Sequence, residues 1–291
     1  MRYVVAVAEE GTFTRAAARC FVVQSALSHQ IKSLEKELGV TLFARTSRRV
    51  ELTAAGEAFL PAARDALAAA ERAAADAAAA TGQIRGRLTI GVIPTVTAVD
   101  VPTTLRDFHL EYPQVRSALH LGASKDIASA IARGEIDVGM LGLPTDQTPR
   151  GVAWRRVVSD RGVAVMSPEH RLAGRTELQI ADLAQEVFAD FPTRSPGRMQ
   201  NDLAFAAAGV SRDVAFEVMV TDLMIGLVRQ NLAITLLPSR FAPTDPGLVT
   251  IPVIDGPARD EYLAWSDFNP SPAAQAFLSS IAALSLDSPS S

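Results

Sequence analysis

The sequence predicts an α/β protein with a small helical N-terminal domain, a long connecting helix and a larger α/β domain. Three observations support this prediction. Residues 14–39, TRAAARCFVVQSALSHQIKSLEKELG, fit two short helices joined by a tight turn. Residues 53–82 are alanine-rich and have a strong helical propensity. Between residues 87 and 268 short β-runs alternate with helical segments, and this alternation favours an α/β fold with mostly parallel sheets.

Composition limits the classes of protein that the chain can represent. The 291 residues are 48% hydrophobic and carry a net charge of -4, which argues against a basic coat for nucleic acid. Residues 1–52 nevertheless hold 8 Lys and Arg against 5 acidic residues, so this N-terminal segment has a positive net charge, whereas the rest of the chain has a negative one. That is the sign expected of an N-terminal nucleic-acid module. The single cysteine, Cys20, excludes an intramolecular disulfide. We find neither a secretory leader pattern nor a membrane span, and we expect a cytoplasmic protein with no membrane partner.

The N-terminal domain is predicted to contain three helices followed by a hairpin. The helices are expected at residues 2–10, 14–20 and about 24–38, and the hairpin at residues 40–53. Gly11 and Gly39 are the expected C-terminal ends of the first and third helices. Thr12 and Thr14 are both candidates to cap the second helix. The hairpin has strand-like ends around a basic tip, which is the form of a wing.

The third helix has two chemically different faces. Its predicted buried stripe consists of Leu27, Ile31, Leu34 and Leu38. The opposite side and the first turn carry Gln24, Ser25, Ser28, His29 and Lys32. A glutamine can bridge two adenine edge atoms in the major groove, and serines reach bases or phosphates. A lysine attracts the phosphate backbone whatever the base sequence. The wing carries Arg45, Arg48 and Arg49, and an arginine there can enter the minor groove. The alternative is an ordinary exposed helix beside a core.

The long helix begins at Thr53, contains Pro61 and is expected to end at Gly82. Its apolar stripe consists mainly of small residues: Phe59, Ala63, Ala66, Leu67, Ala70, Ala74 and Ala77. This face is too poor in large side chains for the core of a large domain, and it suits close pairing with a second helix. A solvated spacer is the alternative.

The larger domain is predicted from its alternating segments. Strands are expected at residues 87–93, 117–122, 136–143 and 187–191, helices at 103–113 and 124–134, and a final amphipathic helix at 271–285. Residues 154–168 lie between the first α/β unit and the second, which spans residues 188–209.

The N-terminal motif resembles a known family. The segment FTRAAARCFVVQSALSHQIKSLEKELGVTLFARTSRRVELTAAGEAFL is similar to the winged helix-turn-helix signature of LysR-type transcriptional regulators. The segments GRLTIGVIPTVTAVDVP and LHLGASKDIASAIARGEIDVGMLG resemble the first regulatory subdomain of that family, and LLP at residues 236–238 matches a late strand end. The resemblance covers essentially the whole chain.

The resemblance implies an architecture and a function. It implies an α/β fold with an N-terminal winged helix-turn-helix (residues 1–53), a linker and dimerisation helix (54–84) and a two-lobed, type-2 periplasmic-binding-protein-like effector domain (87–287). Lobe I would comprise residues 87–158 and 256–287, and lobe II residues 159–255. It also implies binding to double-stranded promoter DNA, regulation by a small-molecule effector, a homodimer through the linker helix assembled to a homotetramer, and RNA polymerase as a candidate partner.

Several positions in the DNA-binding half depart from the family pattern. By resemblance Gln24, Ser28 and His29 occupy base-facing positions and Arg48 a wing position. Val23 stands where the family has serine or threonine, so the cap of the third helix is expected to be lost unless Ser25 or Gln24 replaces it. Ser25 stands where proline is usual and His29 where arginine is common. In addition, Cys20 replaces a leucine as a small core residue, and Asn231 is expected to keep a turn that is glycine-rich in the family.

The family pattern also points to residues that face an effector between the lobes. They are Thr95, Thr97, Ser124, Lys125, Thr193, Arg194, Ser195 and Thr221. Several begin helices, where backbone amides favour a carboxylate. A cation together with several hydroxyls suits a small organic acid. Helix capping by the hydroxyls and surface charge for the two cations are the alternatives.

Two other classes of protein compete with the regulator. A solute-binding protein without DNA binding is the first alternative, but the N-terminal helix-turn-helix segment disfavours it. An enzyme is disfavoured, because the four histidines are scattered and the sequence holds no nucleophile elbow or phosphate loop. We expect no metal and no cofactor.

Overall fold

The computed structural model describes residues 1–45, 50–268 and 270–286. The chain forms two compact units, Met1–Gly86 and Arg87–Ser291.

The N-terminal unit contains the three short helices, the hairpin and the long helix. Its elements are α1 (Arg2–Glu10), α2 (Phe13–Arg19), α3 (Gln24–Leu38), β1 (Phe43–Arg45), β2 (Val50–Leu52) and α4 (Ala54–Ala79). Gly11 and Gly39 end α1 and α3 in the left-handed conformation, as predicted. Of the two capping candidates, Thr12 is the one used, because its side chain accepts a hydrogen bond from the backbone N–H of Arg15.

The core of the N-terminal unit gathers one face from each short helix. Its buried members are Val4, Ala6, Val7, Phe13, Ala16, Ala17, Leu27, Ile31, Leu42 and Phe43. Cys20 and Leu34 are half-buried against this cluster. The prediction for Leu38 is wrong, because this side chain is 42% exposed at the end of α3. Helical periodicity extends the stripe to Leu38, but the core ends about one turn earlier.

The wing is fixed at both of its ends by hydrogen bonds between side chains and the backbone. A Glu35 carboxylate oxygen accepts hydrogen bonds from the backbone N–H groups of Leu42 (2.7 Å) and Phe43 (3.2 Å). The Thr53 side chain donates to the Thr41 carbonyl (2.6 Å) and accepts from the N–H of Gly56. A Cβ at Gly56 would clash with the Leu42 carbonyl oxygen, so the start of α4 requires glycine there.

The long helix α4 runs for 26 residues with Thr53 as its cap. It ends at Ala79, before the predicted Gly82, which has a positive φ of 80° just beyond the helix. Its buried residues are Gly56, Ala63 and Ala78, so most of its small-residue stripe is exposed. Within the described ranges no helix is long and apolar enough to cross a membrane.

The second unit has helices and strands in alternating order. They are β3 (Gly86–Val92), α5 (Val101–Glu111), β4 (Val115–Leu121), α6 (Ser124–Ala132), β5 (Val138–Pro144), β6 (Ala153–Met166), a 3-10 helix (Ile180–Leu183), β7 (Val187–Asp190), α7 (Pro196–Ala207), β8 (Asp213–Glu217), α8 (Thr221–Arg229), β9 (Thr235–Pro238), β10 (Val249–Pro252), β11 (Ala258–Trp265) and α9 (Pro272–Leu286). Asn231, after α8, adopts the expected positive φ of 55°.

The sheets are mixed, so the prediction of mostly parallel sheets is wrong. One seven-stranded sheet has the order β10-β6-β11-β5-β3-β4, with β9 also paired to β6. The pairs β3–β5 and β7–β8 are parallel, whereas β6 is antiparallel to β9, β10 and β11, and β11 is antiparallel to β5. Alternating segments indicate which elements exist, but the long strands β6 and β11 connect distant parts of the chain, and their direction is set by tertiary pairing.

Strand β6 divides the second unit into two lobes. Its residues 153–161 pair with β11, and from Gly162 onward it pairs with β9 and β10. Lobe I packs around Ile93, Ile127, Ile131, Leu141 and Tyr262. Lobe II has two clusters, one around Phe188 and Phe205 and the other around Met224 and Leu237. The chain approaches itself closely at Gly162, where β6 changes partners and a Cβ would lie 2.9 Å from Pro257.

Candidate functional site

Helix α3 presents a polar face opposite its buried stripe. Leu27 and Ile31 are fully buried, whereas four of the polar residues predicted to read DNA are exposed. The exposed residues are Gln24, Ser25, His29 and Lys32, and Ser28 is half-buried beside them. Because the core holds the opposite face, these side chains form a continuous polar surface along the first two turns of the helix.

The N-terminal end of α3 has two unusual features. Val23 is the N-cap residue and makes no side-chain capping hydrogen bond, as its departure from the family pattern predicted. Phe21, two residues earlier, has a positive φ of 56° and is 95% exposed.

The wing hairpin is present, with Arg45 paired to Val50 at its described end. The side chain of Arg45 and the residues Arg48 and Arg49 lie outside the described part of the structure. Their predicted roles in the minor groove stay predictions.

A narrow cavity lies between the two lobes of the second unit. Its volume is about 30 Å³, enough for one or two water molecules. It is lined by Thr95, Gly162, Phe191, Gly197, Gln200, Asn201, Leu236, Leu237, Pro238, Pro257 and Arg259. Lobe I contributes Thr95 and Arg259, whereas the first half of α7 contributes Gly197, Gln200 and Asn201. The first half of α7 and the buried Arg259 guanidinium therefore line the same cavity.

Arg259 is the dominant charge in this cavity, and its side chain is only 8% exposed. Its Nη1 donates to Thr95 Oγ1 (2.6 Å), and its Nη2 donates to the Thr95 carbonyl (2.5 Å) and to Glu261. Its Nε is buried with no hydrogen-bond partner among the described residues. Burial lowers the pKa of the Arg259 guanidinium, and the carboxylates of Glu261 and Asp160 oppose that shift.

Glu261 is held by donors from lobe I. Its carboxylate accepts hydrogen bonds from the backbone N–H and hydroxyl of Thr97 (2.9 and 2.7 Å) and from the N–H of Ala98 (2.8 Å). These donors leave the Glu261 charge well compensated even though the residue is 1% exposed. Glu261 is consequently less dependent on Arg259 as a partner than the ion pair alone suggests.

The lobe I residues predicted to face an effector lie in different environments. Thr95 is buried and lines the cavity. The Thr97 hydroxyl is engaged by Glu261. The buried Ser124 hydroxyl donates to the Gly142 carbonyl (2.8 Å) and accepts from its N–H (3.0 Å), which ties α6 to β5. Lys125 is exposed.

In lobe II the predicted residues surround the beginnings of two helices. Thr193 is exposed and donates to Glu217 (2.5 Å), and this hydrogen bond is the main cause of the lowered pKa of that carboxyl. Arg194 is exposed with a positive φ of 71°, and Ser195 caps α7 through the N–H of Arg198. Thr221 is half-buried at the start of α8. Among the eight predicted positions in the described chain, the cavity lining includes Thr95 but none of the others.

Sequence reasoning missed Arg259, Gln200 and Asn201. The signal for Arg259 was present, because ARDEYLAW places three charged residues inside an otherwise apolar strand. Charges inside a buried strand require partners and commonly mark a site. Gln200 and Asn201 carried no comparable signal in an ordinary helical segment.

A second buried ion pair lies behind the cavity in lobe II. Arg212 Nη2 is 2.6 Å from Asp190 Oδ2, and the two side chains are 3% and 1% exposed. The Arg212 guanidinium also lies over the rings of Phe188 and Phe205, at 5.1 and 4.9 Å from their centroids. Asn201 donates to Asp190 (3.0 Å), so this cluster fixes one wall of the cavity.

No group of three or more His, Cys, Asp or Glu side chains in the described residues could hold a metal ion.

Comparison with known proteins places both units in one family. Residues 1–57 match the model of the bacterial regulatory helix-turn-helix protein of the lysR family, and residues 81–285 match the LysR substrate binding domain. The chain is 31% identical over 287 residues to the HTH-type transcriptional regulator YnfL of Escherichia coli (strain K12), covering 95% of each chain. It is 32% identical over 282 residues to the HTH-type transcriptional regulator IlvR of Caulobacter vibrioides, covering 95% of this chain and 94% of that one.

The crystal structure of full-length CbnR complexed with its target DNA has a similar fold, with a TM-score of 0.72 at 24% identity over 97% of each chain. The family models cover nearly the whole chain, and the described helices and lobes agree with them. The chain therefore belongs to the LysR family of bacterial regulatory proteins, and it is a DNA-binding transcriptional regulator with an effector-binding domain.

Proposed function

We propose that this regulator recognises promoter DNA with the polar face of α3. Gln24, Ser25, Ser28 and His29 contact base edges or nearby phosphates, and Lys32 contacts a phosphate. The wing arginines, Arg45, Arg48 and Arg49, bind the adjacent backbone and minor groove. The supporting observation is that this face is exposed at the N-terminal end of the second helix of a helix-turn-helix, the end that contacts bases in this motif.

Gln24→Ala and Ser28→Ala are each expected to reduce discrimination between the preferred site and scrambled DNA by about 1–3 kcal/mol, because each removes a contact to a base edge. Fluorescence anisotropy of the full-length protein at several salt concentrations measures both affinities. Lys32→Ala should instead weaken both affinities alike and lower the salt dependence by about one unit of slope.

The matched control is Gln30→Ala. Gln30 is exposed on the same helix but lies about 120° around it from Gln24. It should leave discrimination unchanged. Unaltered discrimination in both Gln24→Ala and Ser28→Ala would contradict the assignment of α3.

We infer further that the effector is a small organic acid bound between the lobes. The supporting observation is the buried Arg259 beside the N-terminal end of α7, with Thr95 and Gln200 as neighbouring polar groups. A helix N-terminus and a guanidinium both favour a carboxylate. Because the cavity is about 30 Å³, an acid of more than a few atoms requires the lobes to separate. The roles of Thr97, Ser124, Lys125, Thr193, Arg194, Ser195 and Thr221 as effector contacts remain proposals.

Small carboxylic acids are expected to raise the thermal midpoint of the protein, whereas their primary amides are not. The amides have nearly the same shape but lack the charge that Arg259 binds. A thermal-shift panel of two- to six-carbon mono- and dicarboxylates, each beside its amide, measures this difference at constant ionic strength. Equal shifts from acid and amide, or no shift from any acid, would contradict an organic-acid effector.

We also propose the assembly and the domain limits of the protein. The exposed alanine stripe of α4, which includes Ala66, Ala70, Ala74 and Ala77, suits a homodimer through the linker helix. Two such dimers would form a homotetramer that contacts promoter DNA and RNA polymerase in the cytoplasm.

The proposed domains are residues 1–53, 54–84 and 87–287, with lobe I at 87–158 and 256–287 and lobe II at 159–255. The relatives are transcriptional regulators, and we propose no enzymatic activity for this chain.

A further inference from the structure

The backbone at Phe21 is unfavourable for the residue that occupies it. Its φ of 56° lies in the left-handed region, which glycine and asparagine adopt readily and a bulky aromatic residue does not. The side chain is 95% exposed, so it gains nothing from the core in return. Strain of this kind at an exposed aromatic residue points to a role outside the folded core.

Val23 is a second unfavourable choice, two residues further along. It occupies the N-cap of α3 without a side-chain hydrogen bond, where serine or threonine would satisfy a free N–H group of the helix. It is 68% exposed. A valine at this position therefore costs stability and contributes little packing.

The turn between α2 and α3 is formed without these two side chains. Backbone hydrogen bonds run from Phe21 N to the Ala18 carbonyl (3.1 Å) and from Val22 N to the Ala17 carbonyl (3.0 Å). The half-buried Val22 packs on the core between the two exposed residues. Two local departures from folding preference, adjacent to one functional surface, are the pattern expected of a binding site.

We propose that Phe21 and Val23, the apolar pair, read thymine 5-methyl groups in the major groove. This inference rests on the proposed role of α3 as the recognition helix. The thymine methyl is the apolar group that base pairs present in the major groove, and small apolar or aromatic side chains contact it. Val23 directly precedes Gln24, and Phe21 lies two residues earlier in the turn that leads into α3, so both exposed side chains are next in sequence to the proposed base-reading face.

The test uses the full-length protein and DNA with and without the methyl group. The preferred site is first selected from a library of random duplexes. Each thymine of that site is then replaced singly by deoxyuridine, which lacks only the 5-methyl group, and the dissociation constant is measured by anisotropy. We expect one or two positions at which the wild-type protein loses about fourfold in affinity, the value for one buried methyl group.

Val23→Ser and Phe21→Asn are expected to lose this sensitivity to uracil and to raise the thermal midpoint. Serine restores a capping side chain, and asparagine tolerates the left-handed backbone. Val40→Ser is the matched control, because Val40 is also exposed (44%) but follows the opposite end of α3. It should keep the sensitivity of the wild-type protein.

The possible failures are distinguishable. If no site is enriched over scrambled DNA, both the proposed role of α3 and the thymine contact are overturned. If a site is enriched and Gln24→Ala weakens it, but no thymine responds to uracil, only the thymine contact is overturned. Persistence of the uracil effect in the Phe21→Asn, Val23→Ser double variant has the same meaning.

Discussion

Arg212→Ala is expected to lower the free energy of unfolding of the effector-binding unit by about 3–5 kcal/mol. The substitution leaves Asp190, whose side chain is 1% exposed, without its guanidinium partner at 2.6 Å. It also removes the guanidinium that lies over the rings of Phe188 and Phe205. Urea denaturation, followed by far-ultraviolet circular dichroism, measures the loss as a lower midpoint.

An exposed ion pair in the same unit provides the control. Arg133 and Glu135 are 2.8 Å apart, but their side chains are 58% and 56% exposed. Arg133→Ala should therefore change the free energy of unfolding by less than about 1 kcal/mol. Adding Asp190→Asn to Arg212→Ala should recover part of the loss, because it removes the unpaired buried charge. A loss from Arg212→Ala no greater than that from Arg133→Ala would contradict the importance of the buried cluster.

Arg259→Ala is expected to abolish the stabilisation by carboxylates, with a loss of roughly tenfold to a hundredfold in their affinity. This is the effect of removing a charge-assisted hydrogen bond. The protein itself should lose about 1–3 kcal/mol of stability, because Glu261 keeps its donors from Thr97 and Ala98. Isothermal titration with an acid found in the thermal-shift panel measures the affinity.

The matched variant is Arg259→Lys, which keeps the charge but loses the fork of donors that holds Thr95. Its affinity for the acid should lie between those of the wild type and the alanine variant. DNA binding in the absence of acid should remain in both variants, which separates effector recognition from operator recognition. Unchanged affinity in Arg259→Ala would exclude this guanidinium as the carboxylate anchor.

The local elements of the N-terminal unit could be predicted because their signals are short-range. Glycines fixed the ends of α1 and α3, and the spacing of Leu27 and Ile31 gave the buried face. Leu38 shows the limit of this reasoning, since periodicity marks a face of a helix but not the extent of its partner.

The residues that line the effector cavity were much harder to predict from the sequence. Ser124 and Ser195 were predicted to contact an effector because they lie at the starts of helices. Both hydroxyls instead form hydrogen bonds within the protein. Arg259 lies late in the chain, 164 residues from Thr95, and the two residues meet only when β11 is paired in the sheet.

The sequence by itself determined the family, the helix-turn-helix and its polar face, and the presence of alternating helices and strands. These follow from periodicity, capping and motif, which act over a few residues. Only the tertiary structure decided the mixed sheet, the path of β6 between the lobes and the pairing of Arg259 with Thr95 and Glu261. The partners of a buried charge are determined only when distant strands pair and water is excluded. The local spacing of residues in the sequence therefore does not predict them.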